Sequence, residues 1–137
     1  MKKIGILLLI VLLTGCGKKV VDCNKTILET DTIIVNRQII LTYNDKKLSN
    51  EKIIINYKTN GNTNEIKNTI EEQYSIYQGQ NGIDYYFEDV DGGFNFVLDI
   101  NVKKVDSNIK EELEITKASA SGAMVDYKNN GYECIKK

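Results

Sequence analysis

The sequence contains no histidine, no tryptophan and no proline, and it has only three cysteines among 137 residues. The lack of histidine excludes the common zinc clusters and the Ser/His/Asp and Cys/His pairs of hydrolases. The lack of proline excludes a proline-rich binding segment. We therefore expect neither an enzyme nor a bound cofactor. A chain of this length has room for one ordinary domain and not for two.

The charge balance argues against nucleic acid as a partner. The chain carries 18 basic and 19 acidic side chains, for a formal net charge of -1. Proteins that bind nucleic acid usually carry an excess of positive charge on one surface. Isoleucine, lysine and asparagine together supply 51 of the 137 residues. This bias is typical of A/T-rich codons and indicates a low-GC bacterium.

The N-terminal segment has the pattern of a signal peptide. Lys2 and Lys3 precede an apolar run over residues 4–13, which is interrupted only by Gly5. A permanent transmembrane helix needs about 20 apolar residues, so this run is too short to be one. A basic start, a short apolar region and small residues at its end are typical of a secretory signal that is removed. We assign the signal peptide to residues 1–15.

The end of this segment, Leu13-Thr14-Gly15-Cys16, resembles the lipobox of bacterial lipoproteins. The resemblance implies that the Cys16 thiol receives a diacylglyceryl group and that the chain is cut between Gly15 and Cys16. Two acyl chains hold a protein stably on a membrane. The sequence thus predicts a protein anchored through Cys16 on the extracytoplasmic side of the cell membrane. The alternative is an ordinary secretory signal whose cut happens to precede a cysteine.

Residues 16–22 are predicted to form the lipidated tether, ahead of a single domain over residues 23–137. Removal of the signal would leave 122 residues with 16 basic and 19 acidic side chains, since the first 15 residues hold two of the 18 basic ones. Lys18 and Lys19 follow the lipidated position directly. They can contact an anionic lipid surface, where each cation adds roughly 1 kcal/mol, or they can form part of a solvated tether.

After modification of Cys16, two cysteines remain. Cys23 and Cys134 can form a disulfide, because exported domains reach a compartment in which disulfides persist. The alternatives are two free thiols or a buried cysteine that acts as a small apolar residue. A redox function is not expected, since the sequence lacks a Cys-x-x-Cys spacing.

Hydrophobic periodicity predicts the secondary structure. Predicted strands cover residues 20–29, 32–43, 51–59, 83–88 and 94–103. Asn62 and Glu65 resemble a helix cap, which predicts a helix to about Gln78. A short helical turn is expected from Ser107, and a last helix is expected over residues 118–130, with a short extension at 132–135. The predicted fold class is α+β, a mostly antiparallel sheet of about five strands with two main helices packed on one face, in the order β-β-β-α-β-β-α.

The densest acidic patch lies at the second predicted hairpin and comprises Asp84, Glu88, Asp89 and Asp91. Oxygen-rich loops can hold Ca²⁺, which takes six to eight oxygen ligands. The patch lacks the spacing of an EF-hand loop, and Asp91-Gly92-Gly93 is itself typical of a hairpin turn. We therefore predict no metal site, and these four residues are the weak candidates for one.

Several segments together resemble the YehR-like family of small bacterial lipoproteins. They are the lipobox, the strand hairpin after it, the helix that ends in tyrosines, the strand start at Gly82-Ile83, the stretch over residues 99–106, and the last helix with Met124 before Gly131-Tyr132. The resemblance implies an α+β lipoprotein domain of unknown function. It carries over no catalytic residues.

Two functions follow as expectations. The first is a noncatalytic binding or accessory module of the cell envelope, which binds a protein or a cell-envelope component through the exposed sheet face or the edge near Tyr85 and Tyr86. The second is a small-ligand or Ca²⁺-binding accessory protein of a transporter or envelope enzyme, with the acidic hairpin as its site.

Overall fold

A computed structural model describes residues 17–137 as one antiparallel sheet with short helices on one of its faces. The strands are β1 (Lys18–Glu29), β2 (Ile33–Asn44), β3 (Lys47–Thr59), β4 (Ile83–Val90), β5 (Gly93–Asn101) and β6 (Glu133–Lys136). The helices are α1 (Thr63–Tyr74), extended by a 3₁₀ turn (Ser75–Tyr77), α2 (Ser107–Glu112) and α3 (Ala120–Asn129). The strand order across the sheet is β4-β5-β3-β2-β1-β6.

The predicted order of five strands and two main helices is wrong. The observed order over the described residues is β-β-β-α-β-β-α-α-β, with six strands and three helices. The segment after α3 forms β6, which pairs antiparallel with β1. A strand of four residues is too short to show alternation, and it forms because the edge of β1 offers free backbone hydrogen-bonding groups. The turn at Ser107 is a separate helix, and the Asp106 side chain caps it by accepting a hydrogen bond from the Ile109 N–H at 3.0 Å.

The sheet also begins earlier than predicted. Residues 16–22 were assigned to a tether, but β1 starts at Lys18, and Val21 and Asp22 are buried. Backbone pairing to β2 extends back to Lys18, opposite Asn44, because the long β2 strand offers partners along its whole length. The signal peptide over residues 1–15, the Gly15–Cys16 cleavage position and the lipidation at Cys16 lie outside the described residues.

The core lies between the helices and one face of the sheet. Alternate residues of the strands point to this face, as expected for a sheet with one covered side. Its buried strand residues include Val21, Cys23, Ile39, Leu41, Ile53, Phe94, Phe96, Leu98 and Ile100. Ile70 of α1 and Ala123 of α3 pack against them. Removing these apolar side chains from water supplies the main driving force for folding.

Polar side chains dominate the opposite face of the sheet. A row of asparagines crosses three strands, and Asn56 donates to Asn95 at 2.7 Å. Asp22 is buried on this face, where it accepts a hydrogen bond from Gln38 and forms a salt bridge with Lys137 at 3.1 Å. Across residues 17–137, no helix combines the length and the apolar character that crossing a bilayer requires.

Candidate functional site

A cavity of about 360 Å³ opens on the helix-covered side of β2 and β3. Small-molecule sites in proteins have volumes of roughly 300 to 1,000 Å³. Its lining consists of Lys25, Arg37, Ile39, Glu51, Ile53, Leu113, Glu114, Tyr127, Asn130 and Tyr132. We call this space the Glu51 cavity, because the most deeply buried charged residue of the lining is Glu51.

Glu51 lies on β3, where its side chain shares the covered face of the sheet with Ile53 and is only 3% exposed. The Tyr127 hydroxyl donates to Glu51 Oε1 at 3.5 Å, while Oε2 is buried and has no hydrogen-bond partner. Burial raises the pKa of Glu51 from its ordinary value of 4.5 to about 7. The Arg37 charge and the Tyr127 hydrogen bond oppose this rise and only partly offset it.

Arg37 is the single arginine of the chain and lies on β2, opposite Ile55 of β3. Its Nε atom is buried and has no hydrogen-bond partner. Within residues 17–137 the salt bridges join Lys67 to Asp89 and Lys137 to Asp22, so Arg37 and Glu51 do not form an ion pair. A buried polar atom without a partner costs free energy, so two such atoms on residues that line one cavity are an unusual arrangement.

The mouth of the cavity carries two further charged residues. Lys25 Nζ donates to the Asn130 main-chain oxygen at 2.7 Å and lies 5.5 Å from the centre of the Tyr132 ring. Glu114, in the segment between α2 and α3, has a positive φ of 54°. A left-handed backbone conformation costs about 1–3 kcal/mol in a residue other than glycine, and such residues cluster at functional sites. Both signs of charge therefore meet at one opening.

The tyrosines around Glu51 are neutral hydrogen-bonding groups. Burial, and then the neighbouring Glu51 carboxyl, raise the pKa of Tyr43 to about 12. The Tyr43 hydroxyl donates to the Ala118 main-chain oxygen at 3.0 Å. Burial also raises the pKa of Tyr127, and Glu51 adds to that rise. The lining thus supplies charges of both signs and hydrogen-bonding groups.

The structure does not bring the four candidate metal ligands together. Asp84 and Glu88 lie on the polar face of β4, whereas Asp89 lies on the opposite side and forms an ion pair with Lys67 at 2.8 Å. Asp91 belongs to the turn between β4 and β5. Among residues 17–137, no group of three or more acidic or cysteine side chains is placed to hold a metal ion.

The predicted tyrosine edge divides between the two faces of the sheet. Tyr86 is 39% exposed on the polar face. Tyr85 lies on the covered face, and its hydroxyl donates to Glu71 Oε1 of α1 at 3.0 Å. The two side chains therefore point to opposite faces of β4.

The two cysteines within the described residues are joined. Cys23 of β1 and Cys134 of β6 are directly opposite in the sheet and form a disulfide with an S–S distance of 2.05 Å. The bond closes a loop with a sequence separation of 111. Cys23 is fully buried, so the bond fastens the short strand β6 to the core.

The sequence did not identify Glu51 and Arg37 as site residues. The sequence does contain a signal. Glu51 is spaced by two residues from Ile53, as Arg37 is from Ile39, so each charged residue shares a strand face with an apolar one. A charged residue at an inward-facing strand position is unusual and points to a buried polar site.

Comparisons with protein-family models, with curated proteins and with solved structures found no match to this chain. The resemblance to the YehR-like family therefore stays a prediction.

Proposed function

We propose that this chain is a membrane-anchored bacterial surface lipoprotein, and that its domain is a noncatalytic binding module of the cell envelope. The observation that carries the proposal is the segment Leu13-Thr14-Gly15-Cys16, with the basic and apolar residues that precede it. The resemblance to YehR-like lipoproteins belongs to the same proposal.

The position of the N-terminal strand supports anchoring. Gly17 follows the proposed lipidated residue directly, and its main-chain oxygen accepts a hydrogen bond from the Asp45 N–H at 3.0 Å. Asp45 lies in the turn between β2 and β3. A lipid on Cys16 would therefore hold this end of the sheet next to the bilayer, with almost no free tether between them.

Lysines gather at the same end of the sheet. The antiparallel pairing brings the start of β1, the β2–β3 turn, the end of β5 and the end of β6 to one side. The lysines there are Lys18, Lys19, Lys46, Lys47, Lys103, Lys104, Lys136 and Lys137. Asp45 is an acidic residue of this end, and Lys137 is already paired with Asp22. Each cation near an anionic lipid surface contributes about 1 kcal/mol, so this end is suited to face a membrane.

The Glu51 cavity supports a small ligand as the bound species. It combines a volume of about 360 Å³ with a buried carboxyl, a buried guanidinium atom and three aliphatic side chains among its lining residues. Its volume lies within the range of small-molecule sites. The acidic hairpin has no comparable arrangement, because its carboxylates lie on different sides of β4. The Glu51 cavity is therefore the proposed site for a small ligand.

Mass spectrometry of the protein purified from a bacterial host tests the anchoring. We expect a diacylglyceryl adduct on Cys16 at the new N-terminus and recovery of the protein with the membrane fraction. The Cys16→Ser variant should lose both. The Thr14→Ala variant keeps the Leu-x-Gly-Cys spacing and should retain both. An unmodified Cys16 in a membrane-free product would contradict the proposal.

A further inference from the structure

We propose that the Glu51 cavity binds a small aliphatic amino acid as a zwitterion, with its carboxylate on Arg37 and its ammonium group on Glu51. The inference rests on the proposed binding function and names its ligand class. Arg37 and Glu51 both line this cavity, and each holds one buried polar atom without a hydrogen-bond partner, the Nε donor of Arg37 and the Oε2 acceptor of Glu51. One ligand that carries both an acceptor and a donor satisfies both atoms.

The carboxylate is assigned to the Arg37 side. A guanidinium offers parallel N–H donors that match the two oxygens of a carboxylate. The Nε donor of Arg37 is buried and has no hydrogen-bond partner. Lys25 also lines the cavity and adds a second positive charge near this side. No carboxylate of the protein lies within ion-pair distance of Arg37 among residues 17–137.

The ammonium group is assigned to the Glu51 side. Glu51 Oε2 is a buried acceptor without a donor, and Oε1 is already occupied by the Tyr127 hydroxyl. Glu114 lines the same cavity and adds a second carboxyl. A bound ammonium group would supply the missing donor and stabilise the ionised form of Glu51.

The apolar residues of the cavity lining indicate an aliphatic side chain on the ligand. Ile39, Ile53 and Leu113 line the cavity and provide an apolar surface beside the charged groups. A hydrocarbon side chain is buried favourably against them. A simple carboxylic acid would leave Glu51 Oε2 without a donor, and a simple amine would leave Arg37 Nε without an acceptor. The zwitterion is the class that satisfies both ends.

Isothermal titration calorimetry on the protein purified in detergent tests the inference with three probes of matched skeleton. The probes are L-leucine, 4-methylpentanoate, which lacks the ammonium group, and 3-methylbutylamine, which lacks the carboxylate. We expect L-leucine to bind at least about tenfold more tightly than either fragment, since each fragment leaves one buried atom unpaired. L-alanine and L-valine extend the series to smaller side chains.

Two variants assign the ends of the ligand. Glu51→Gln should weaken L-leucine binding at least about tenfold and leave the weak binding of 4-methylpentanoate unchanged. Arg37→Gln should weaken L-leucine binding similarly and leave 3-methylbutylamine unchanged. Lys52→Gln is the matched control, because Lys52 is the next residue of β3 and lies on the polar face, and it should bind L-leucine like the parent chain. Circular dichroism of each variant verifies that the fold is kept.

The inference is overturned if L-leucine, L-alanine and L-valine all give no heat at millimolar concentration, or if either fragment binds as tightly as L-leucine. Wild-type affinity in a folded Glu51→Gln variant would also overturn it. These outcomes are separate from the proposed anchoring, because the mass of Cys16 is measured on the same preparation and does not depend on ligand binding.

Discussion

Replacing Glu51 by glutamine should remove a pH dependence from the stability of the domain. The glutamine keeps the shape of the side chain and an oxygen that accepts from Tyr127, but it cannot ionise. Burial raises the pKa of Glu51 in the folded protein from 4.5 to about 7. The folded state therefore binds this proton more tightly than the unfolded chain does.

The difference between the two pKa values determines the sign and the size of the pH dependence of stability. A carboxyl with a raised folded-state pKa contributes stability below about pH 4.5 that is lost as the pH rises through about 7. The two pKa values differ by about 2.5, and a difference of one corresponds to about 1.4 kcal/mol. Glu51 should therefore lower the free energy of unfolding by about 3 kcal/mol between acidic and mildly alkaline pH.

Urea unfolding of the parent chain and the Glu51→Gln variant at about pH 5 and about pH 8 measures this effect. The chain has no histidine, so few other side chains titrate in this interval. The parent should lose most of the 3 kcal/mol at the higher pH, while the variant should change little and exceed the parent in stability there. An equal pH dependence in both proteins, or a parent that gains stability with rising pH, would refute the reasoning.

Three further variants test the fold. Replacing Cys23 and Cys134 together by serine should reduce the free energy of unfolding by about 4–5 kcal/mol, because the disulfide closes a loop with a sequence separation of 111. Denaturant titration measures this loss. Phe96→Ala should cost about 3–5 kcal/mol by leaving a cavity in the core, measured in the same way. Gly93→Ala should lower the melting temperature, since its Cβ would collide with the Tyr57 main-chain oxygen across the β3–β5 pair.

Matched controls accompany the last two substitutions. Ile76 is 61% exposed, and Ile76→Ala should change stability by no more than about 0.5 kcal/mol. Gly61 has only Thr59 Oγ1 near an added Cβ, at 3.4 Å, so Gly61→Ala should also have a small effect. Losses in the controls as large as those of Phe96→Ala and Gly93→Ala would contradict the packing argument. Stability of the cysteine double variant that matches the parent would contradict the loop-closure argument.

Strands with clear alternation were predictable from the sequence. In β5 the apolar residues at even positions from Phe94 to Ile100 all face the core, and the pattern alone indicates this. The β2–β3 pairing follows from two long β-branched runs joined by a short turn. Local periodicity is sufficient to predict a strand and its buried face where the strand is long and has one covered face.

Features that depend on distant parts of the chain were not predictable. Strand β6 has four residues and forms through its pairing with β1, more than a hundred residues earlier in the chain. The Glu51 cavity requires Tyr127 of α3 to approach β3, and no local pattern encodes that approach. In the acidic hairpin, residues that are close in sequence are kept apart in the structure. Neighbouring residues of a strand alternate between its two faces.

The covalent link between the first and last strands determines how the domain carries mechanical load. If force is applied between Lys18 at the start of β1 and Lys137 after β6, tension passes along β1 to Cys23, crosses the disulfide to Cys134 and leaves through β6. Apart from the hydrogen bonds that join residues 18–22 to β2, the chain between the two cysteines lies outside this covalent path. A domain pulled at these two points would therefore release the segments outside the two cysteines, including Val21, before the strands that form the Glu51 cavity.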